Sequence, residues 1–113
     1  MSHYFIQDDN LKSNQKQLTY SFKNIRFNFV TDSGIFSKDH IDPATDILLN
    51  SIPPLNGSIL DMGCGYGCIG IILGKVYSLN ITQCDVNPSA IALTETNCKL
   101  NNIESNVILS DCF

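Results

Sequence analysis

Apolar and polar positions alternate in the first third of this chain, and then the period changes. Leu18, Tyr20 and Phe22 are separated by single polar residues, and so are Ile25, Phe27 and Phe29, with Lys23-Asn24 between the two runs. Period-2 alternation of aromatic and β-branched residues marks strands with one buried face, so residues 18–31 read as a β-hairpin. Residues 1–17 lack such a pattern and read as a flexible lead-in. From residue 42 the spacing is helical. Asp42-Pro43 is a helix start, Ala44, Ile47, Leu48 and Ile52 supply one apolar face, and Pro53-Pro54 stops it.

The remainder alternates strand and helix. Ser58 to Leu60 is a short apolar strand followed by Asp61, and glycines then stand at 63, 65 and 67. Ile69, Ile72, Leu73, Val76 and Tyr77 carry the helical spacing, with Gly70 and Gly74 one turn apart where the helix would pack closely on a sheet. Asn80 to Val86 is a second strand containing Asp85. Asn87-Pro88 opens a helix reaching Asn101 or Asn102, and Ser105 to Ser110 is a third strand before Asp111. The Val107-Ile108-Leu109 run suits a strand buried on both faces. Residues 58–113 are thus a βαβαβ unit, and the fold class is α/β with a parallel sheet.

Composition narrows this to one soluble domain. At 113 residues the chain has room for one core, and no apolar run approaches the roughly 20 residues that span a bilayer. The N-terminus lacks the basic-then-apolar order of a secretory signal. Five cysteines, an odd number at irregular spacing, suggest reduced thiols and a cytoplasmic location. Cys64 and Cys68 have no second pair of ligands to complete a zinc site, so no metal is expected. A net charge of -4 argues against a broad nucleic-acid surface on this chain.

Chemistry concentrates around the glycines. The three strands end near Asp61, Asp85 and Asp111, and ligands of open parallel sheets bind along the strand C-termini. Gly65-Tyr66-Gly67-Cys68-Ile69-Gly70 formally matches the dinucleotide pattern G-x-G-x-x-G, with Asp85 about 20 residues on. The match fits badly, because Asp61 just before the turn would repel a pyrophosphate at the helix N-terminus. S-adenosylmethionine, which has no phosphate, fits better. Asp61 and the turn carbonyls suit its ammonium end, Asp85 its ribose hydroxyls and Asp111 its adenine amine. Cys112 and Phe113 would offer a backbone donor and an apolar surface to the ring. Upstream, the 31–40 loop holds Phe36 and Ser37 as candidates for lining the site.

Asp61-Met62-Gly63-Cys64-Gly65-Tyr66-Gly67 resembles the first motif of class I S-adenosylmethionine-dependent methyltransferases, and Asp85-Val86-Asn87-Pro88 resembles their second-strand motif. Gly34-Ile35-Phe36-Ser37, with Asp42-Pro43-Ala44-Thr45 and Leu48-Leu49, narrows the resemblance to the small methyltransferase domain family, which includes ribosomal RNA guanine-N2 methyltransferases of the RsmC type. The resemblance implies a Rossmann-like class I methyltransferase fold and an S-adenosylmethionine site built from Asp61, Gly63, Cys64, Gly65, Gly67, Asp85, Val86, Asp111 and Cys112. It also implies a catalytic Asn-Pro-Pro-aromatic motif after a fourth strand, and a seven-stranded sheet. This sequence has neither, so no catalytic residue is assigned. The expectation is a cofactor-binding part, ending after the third parallel strand, of an enzyme that methylates a guanine amine of ribosomal RNA, inactive alone and completed by a C-terminal chain. A non-catalytic module binding the cofactor or a partner, and a protein glutamine N-methyltransferase, are the rival readings.

Overall fold

The computed structural model describes residues 15–32 and 40–111. Two strands, β1 (Gln15–Phe22) and β2 (Ile25–Asp32), pair antiparallel with Phe22 opposite Ile25. The turn is the two-residue Lys23-Asn24, both with positive φ, which matches the right-handed twist of the flanking strands. Pairing begins at Gln15, so the last residues of the expected lead-in belong to the strand. Cross-strand pairing with Val30, Thr31 and Asp32 extends β1 beyond the apolar alternation that marks it in the sequence.

Helix α1 (Pro43–Ser51) starts as expected, with the Asp42 carboxylate accepting from Ala44 N at 2.9 Å. Its buried face differs from the expected one. Leu49 is 1% exposed while Ile47 is 67% and Leu48 44% exposed. The helix docks through Thr45, Asp46, Leu49 and Ile52, and the hydroxyl of Tyr20 fixes that rotation by donating to Asp46 Oδ1 at 2.6 Å.

Strand β3 (Ser58–Met62), helix α2 (Cys68–Tyr77), strand β4 (Asn80–Asp85), helix α3 (Pro88–Leu100) and strand β5 (Asn106–Leu109) follow. The strands form a parallel sheet in the order β3-β4-β5, with Ile59 beside Ile81 and Gln83 beside Val107. Helix α2 is buried almost all round, with Ile71 and Ile72 wholly inaccessible, because it contacts the hairpin, the sheet and both other helices. The expected two-sided burial of β5 does not occur: Ile108 is 46% and Leu109 55% exposed. Among the described residues β5 is an outer strand, and α3 covers only part of it.

Both helix glycines are where the sheet comes closest. A Cβ on Gly70 would lie 2.5 Å from Gln83 Oε1 and 2.7 Å from its Cδ, and one on Gly74 would collide with Ile81. Gln83 has no exposed surface and cannot swing away. Alanine at Gly70 gains roughly 1 kcal/mol of helix propensity but forces the core apart by about 1–3 kcal/mol. We therefore expect Gly70→Ala to lower stability by about 1 kcal/mol in urea titrations, whereas a surface helix glycine would gain.

Cys64, Cys68 and Cys98 are buried free thiols, and burial pushes Cys68 up to about 12 and Cys98 up to about 11. Cys84 is disulfide-bonded, so the expectation of reduced thiols throughout fails at this position on the end of β4. Among the described residues no helix is long and apolar enough to cross a membrane, and no cluster of potential ligands could hold a metal ion.

Candidate cofactor site at the strand ends

The glycine loop, residues 63–67, leaves β3 and turns directly into α2. Gly63, Gly65 and Gly67 all have positive φ, between 61° and 92°, which side chains rarely tolerate. The amides of Gly63 and Cys64 both donate to the Cys84 carbonyl at 2.9 Å, and Gly67 N donates to Cys64 O at 3.0 Å. The loop is therefore pinned to the end of β4. A Cβ at Gly63 would meet nothing within 4 Å, so this glycine faces open space rather than the core.

Asp85, the last residue of β4, organises the edge. Its Oδ2 accepts from Gly65 N at 3.0 Å and its Oδ1 from Asn87 N at 2.9 Å. A carboxylate has about four acceptor positions, so each oxygen keeps one for a ligand while its direction is already set by the backbone.

Asp61 plays two parts. Gly67, the N-cap of α2, provides no side-chain cap, and the Asp61 carboxylate lies close enough to the backbone N–H of Gly70 in the first turn for that N–H to favour its charged form. Burial, helped by the charge on Asp85, nevertheless holds the Asp61 carboxyl above its ordinary value of 3.8, while the Gly70 N–H works the other way. A carboxylate with a raised folded pKa favours folding below its unfolded pKa, and that contribution is lost as pH rises through the folded value. Asparagine at 61 retains the oxygen for Gly70 N–H without the charge. We expect Asp61→Asn to raise the melting temperature at pH 7, with the gain fading as pH falls toward 3.8; a pH series of thermal melts on both proteins checks it.

The three carboxylates do not lie level. Gly63 and Leu109 follow the Met62–Cys84 and Cys84–Ile108 pairs, in the row of Asp85. Asp61 stands two residues before that row and Asp111 two beyond it, so the acids run diagonally across the sheet end. Asp61 and Asp85 share the helix-covered face; Val86 is 65% exposed and Asp111 is exposed. Phe36, Ser37, Cys112 and Phe113 lie outside the described residues.

Sequence reasoning missed several contributors. A cleft of about 240 Å³ beside the loop is lined by Gly63, Cys64, Gly65, Tyr66, Cys68 and Ile69, and also by Asp42 and Thr45 of the α1 N-terminus. The Asp-Pro cap was legible, but not that the first turn would face the glycines. Thr94 and Asn97 of α3 also reach the loop: Thr94 Oγ1 donates to Gly65 O at 2.9 Å and Asn97 Nδ2 to Tyr66 O at 2.8 Å. A larger cavity, about 710 Å³, opens at the N-terminal ends of β4 and β5, the opposite end from where parallel sheets bind ligands.

Residues 26–113 match the family model described as methyltransferase small domain. The chain is 36% identical to YbxB of Bacillus subtilis, over 98% of this chain and 57% of that protein. It is also 36% identical to ribosomal RNA small subunit methyltransferase C of Photorhabdus laumondii, over 84% of this chain and 28% of that enzyme. It thus spans little more than half of the first relative and under a third of the second. Among solved structures it resembles the T. thermophilus 16S rRNA N2 G1207 methyltransferase RsmC, in complex with AdoMet and guanosine, with a TM-score of 0.74 over 90% of this chain and 29% of that one at 19% identity. It also resembles M. jannaschii TYW2 in complex with AdoMet, with a TM-score of 0.64, 21% identity, and coverage of 89% of this chain and 46% of that one. These two likenesses show the fold, a Rossmann-like methyltransferase fold preceded by an antiparallel hairpin.

Proposed function

The chain belongs to the methyltransferase small domain family, and on that premise we propose that it is the S-adenosylmethionine-binding part of a cytoplasmic enzyme that methylates a guanine exocyclic amine of ribosomal RNA. The observation that carries the cofactor reading is the Asp85 clamp. One carboxylate fixes the glycine loop through Gly65 N and keeps an unused acceptor position on each oxygen. That is what a ribose diol requires at a strand end. A phosphate-bearing ligand suits this edge poorly, because Asp61 occupies the N-terminus of α2 where a phosphate would sit.

When bound, S-adenosylmethionine supplies an electrophilic methyl group on sulfur. The residues here would hold it. Asp61 would face its ammonium end, Gly63 would leave room for its methionine part, Asp85 would take the ribose hydroxyls, and Val86 and Asp111 would flank the adenine. Ribosomal RNA as substrate draws its support from the relatives named ribosomal RNA small subunit methyltransferase C. The Asn-Pro-Pro-aromatic motif that would hold the acceptor amine is not among these 113 residues. We therefore expect no turnover by them alone. A further segment, in the same chain or another, would add that motif and cover the exposed Leu60, Met62 and Ile108, which share the sheet face opposite the helices.

Calorimetric titration with S-adenosylhomocysteine, and with NADH as control, tests the reading. Binding of the first alone is the expected result. Binding of NADH alone, or of neither by a folded protein, would overturn the cofactor assignment.

A further inference from the structure

A row of polar side chains runs buried along α3. Thr94 and Asn97 are 0% exposed and Asn101 is 6% exposed. Their spacing of three and then four residues puts them on one helix face. Unpaired polar groups at such depth are costly, and here every one is paired with the backbone of another element. Thr94 Oγ1 donates to Gly65 O and also lies 3.4 Å from Cys64 Sγ. Asn97 Nδ2 donates to Tyr66 O and to Val30 O, and its Oδ1 accepts from Val30 N at 2.8 Å. Asn101 makes the matching pair of bonds to Asn28 N and O and does not reach the loop.

The carbonyls of two successive loop residues are thus held from below by α3, while Asp85 holds the Gly65 N–H from the strand side. A loop with three glycines at positive φ has more backbone freedom than any other kind. Ordering it at the moment of binding would subtract from affinity, and ordering it beforehand avoids that loss. A Cβ at Gly67 would come within 3.0 Å of Thr94 Cγ2, so the threonine fills the floor as well as bonding to it.

We propose that Thr94 and Asn97 are positioning residues that preorganise the glycine loop for its ligand, with Asn97 tying the loop to the hairpin. The proposal rests on the cofactor reading above. Its test uses the whole 113-residue chain and three variants. Thr94→Val removes the hydroxyl at nearly constant volume, Thr94→Ser keeps it, and Asn101→Ala loosens the hairpin without touching the loop. S-adenosylhomocysteine is titrated into each at a temperature where all are folded. Thr94→Val should bind about tenfold more weakly, the size of one lost hydrogen bond. Thr94→Ser should bind like the parent, and so should Asn101→Ala despite a lower melting temperature. Amide exchange at residues 64–67 should accelerate in Thr94→Val while exchange in β4 stays unchanged. Binding by Thr94→Val within twofold of the parent would overturn the proposal, as would Asn101→Ala weakening binding equally. Should the parent itself not bind, the cofactor reading fails, and unchanged exchange in Thr94→Val would separately sink the claim that α3 sets the loop.

Discussion

Replacing Asp85 with alanine is expected to weaken S-adenosylhomocysteine binding by about 100-fold or more, because charge-assisted hydrogen bonds contribute about 1.5–3 kcal/mol each. Two losses combine. The first is any bond from the ligand's hydroxyls to the carboxylate. The second is the loop's shape, since Gly65 N and Asn87 N lose their acceptor together. Asparagine is not an adequate substitute. Its single carbonyl oxygen can serve Gly65 N or Asn87 N, and its amide nitrogen would then point at the other N–H. Asp85→Asn should therefore fall nearer to alanine than to the parent. The fold should persist in both, because Asp85 lies at a strand end and is not part of the apolar core. Calorimetric titration with near-unchanged circular dichroism would fit this account. An alanine variant that binds within threefold of the parent would remove Asp85 from the site.

Much of this was legible in the chain, and the limits have physical causes. Alternation gave the hairpin and its Lys23-Asn24 turn, because a strand with one wet face must alternate and a two-residue turn needs residues that accept positive φ. The Asp-Pro and Asn-Pro caps placed two helix starts, since capping is a local interaction. The glycine loop and Asp85 were visible for the same reason: their geometry is set within a few residues. What failed was what depends on distant neighbours. The buried side of α1 is chosen by Tyr20 reaching Asp46, 26 residues away, and no apolar count along 44–52 reports that. The apolar run in β5 could not reveal that no described element covers its outer side. The helper residues Thr45, Thr94 and Asn97 are polar, so a search for apolar faces passes over them.

Replacing Asn97 with leucine should cost about 3–5 kcal/mol of stability, even though leucine is apolar, similar in size and a better helix former. The reason lies in β2. Its outer edge carries the N–H and C=O of Asn28 and Val30, with no third strand beside them among the described residues. Asn97 and Asn101 stand in for that strand, each presenting an oxygen and an N–H from one amide to one residue's backbone pair. Leucine at 97 would leave Val30 N, Val30 O and Tyr66 O without this partner, in a place where Val30 is only 6% exposed. Each buried unsatisfied group costs about 1–3 kcal/mol, and a domain has about 5–15 kcal/mol in total. In urea the midpoint should fall steeply at unchanged slope. Apolar gain cannot offset the loss, since position 97 is already wholly buried and leucine offers no group to replace the amide. A decrease below about 1 kcal/mol would mean that the hairpin edge finds other partners, and that the amide row is a consequence of the docking rather than its cause.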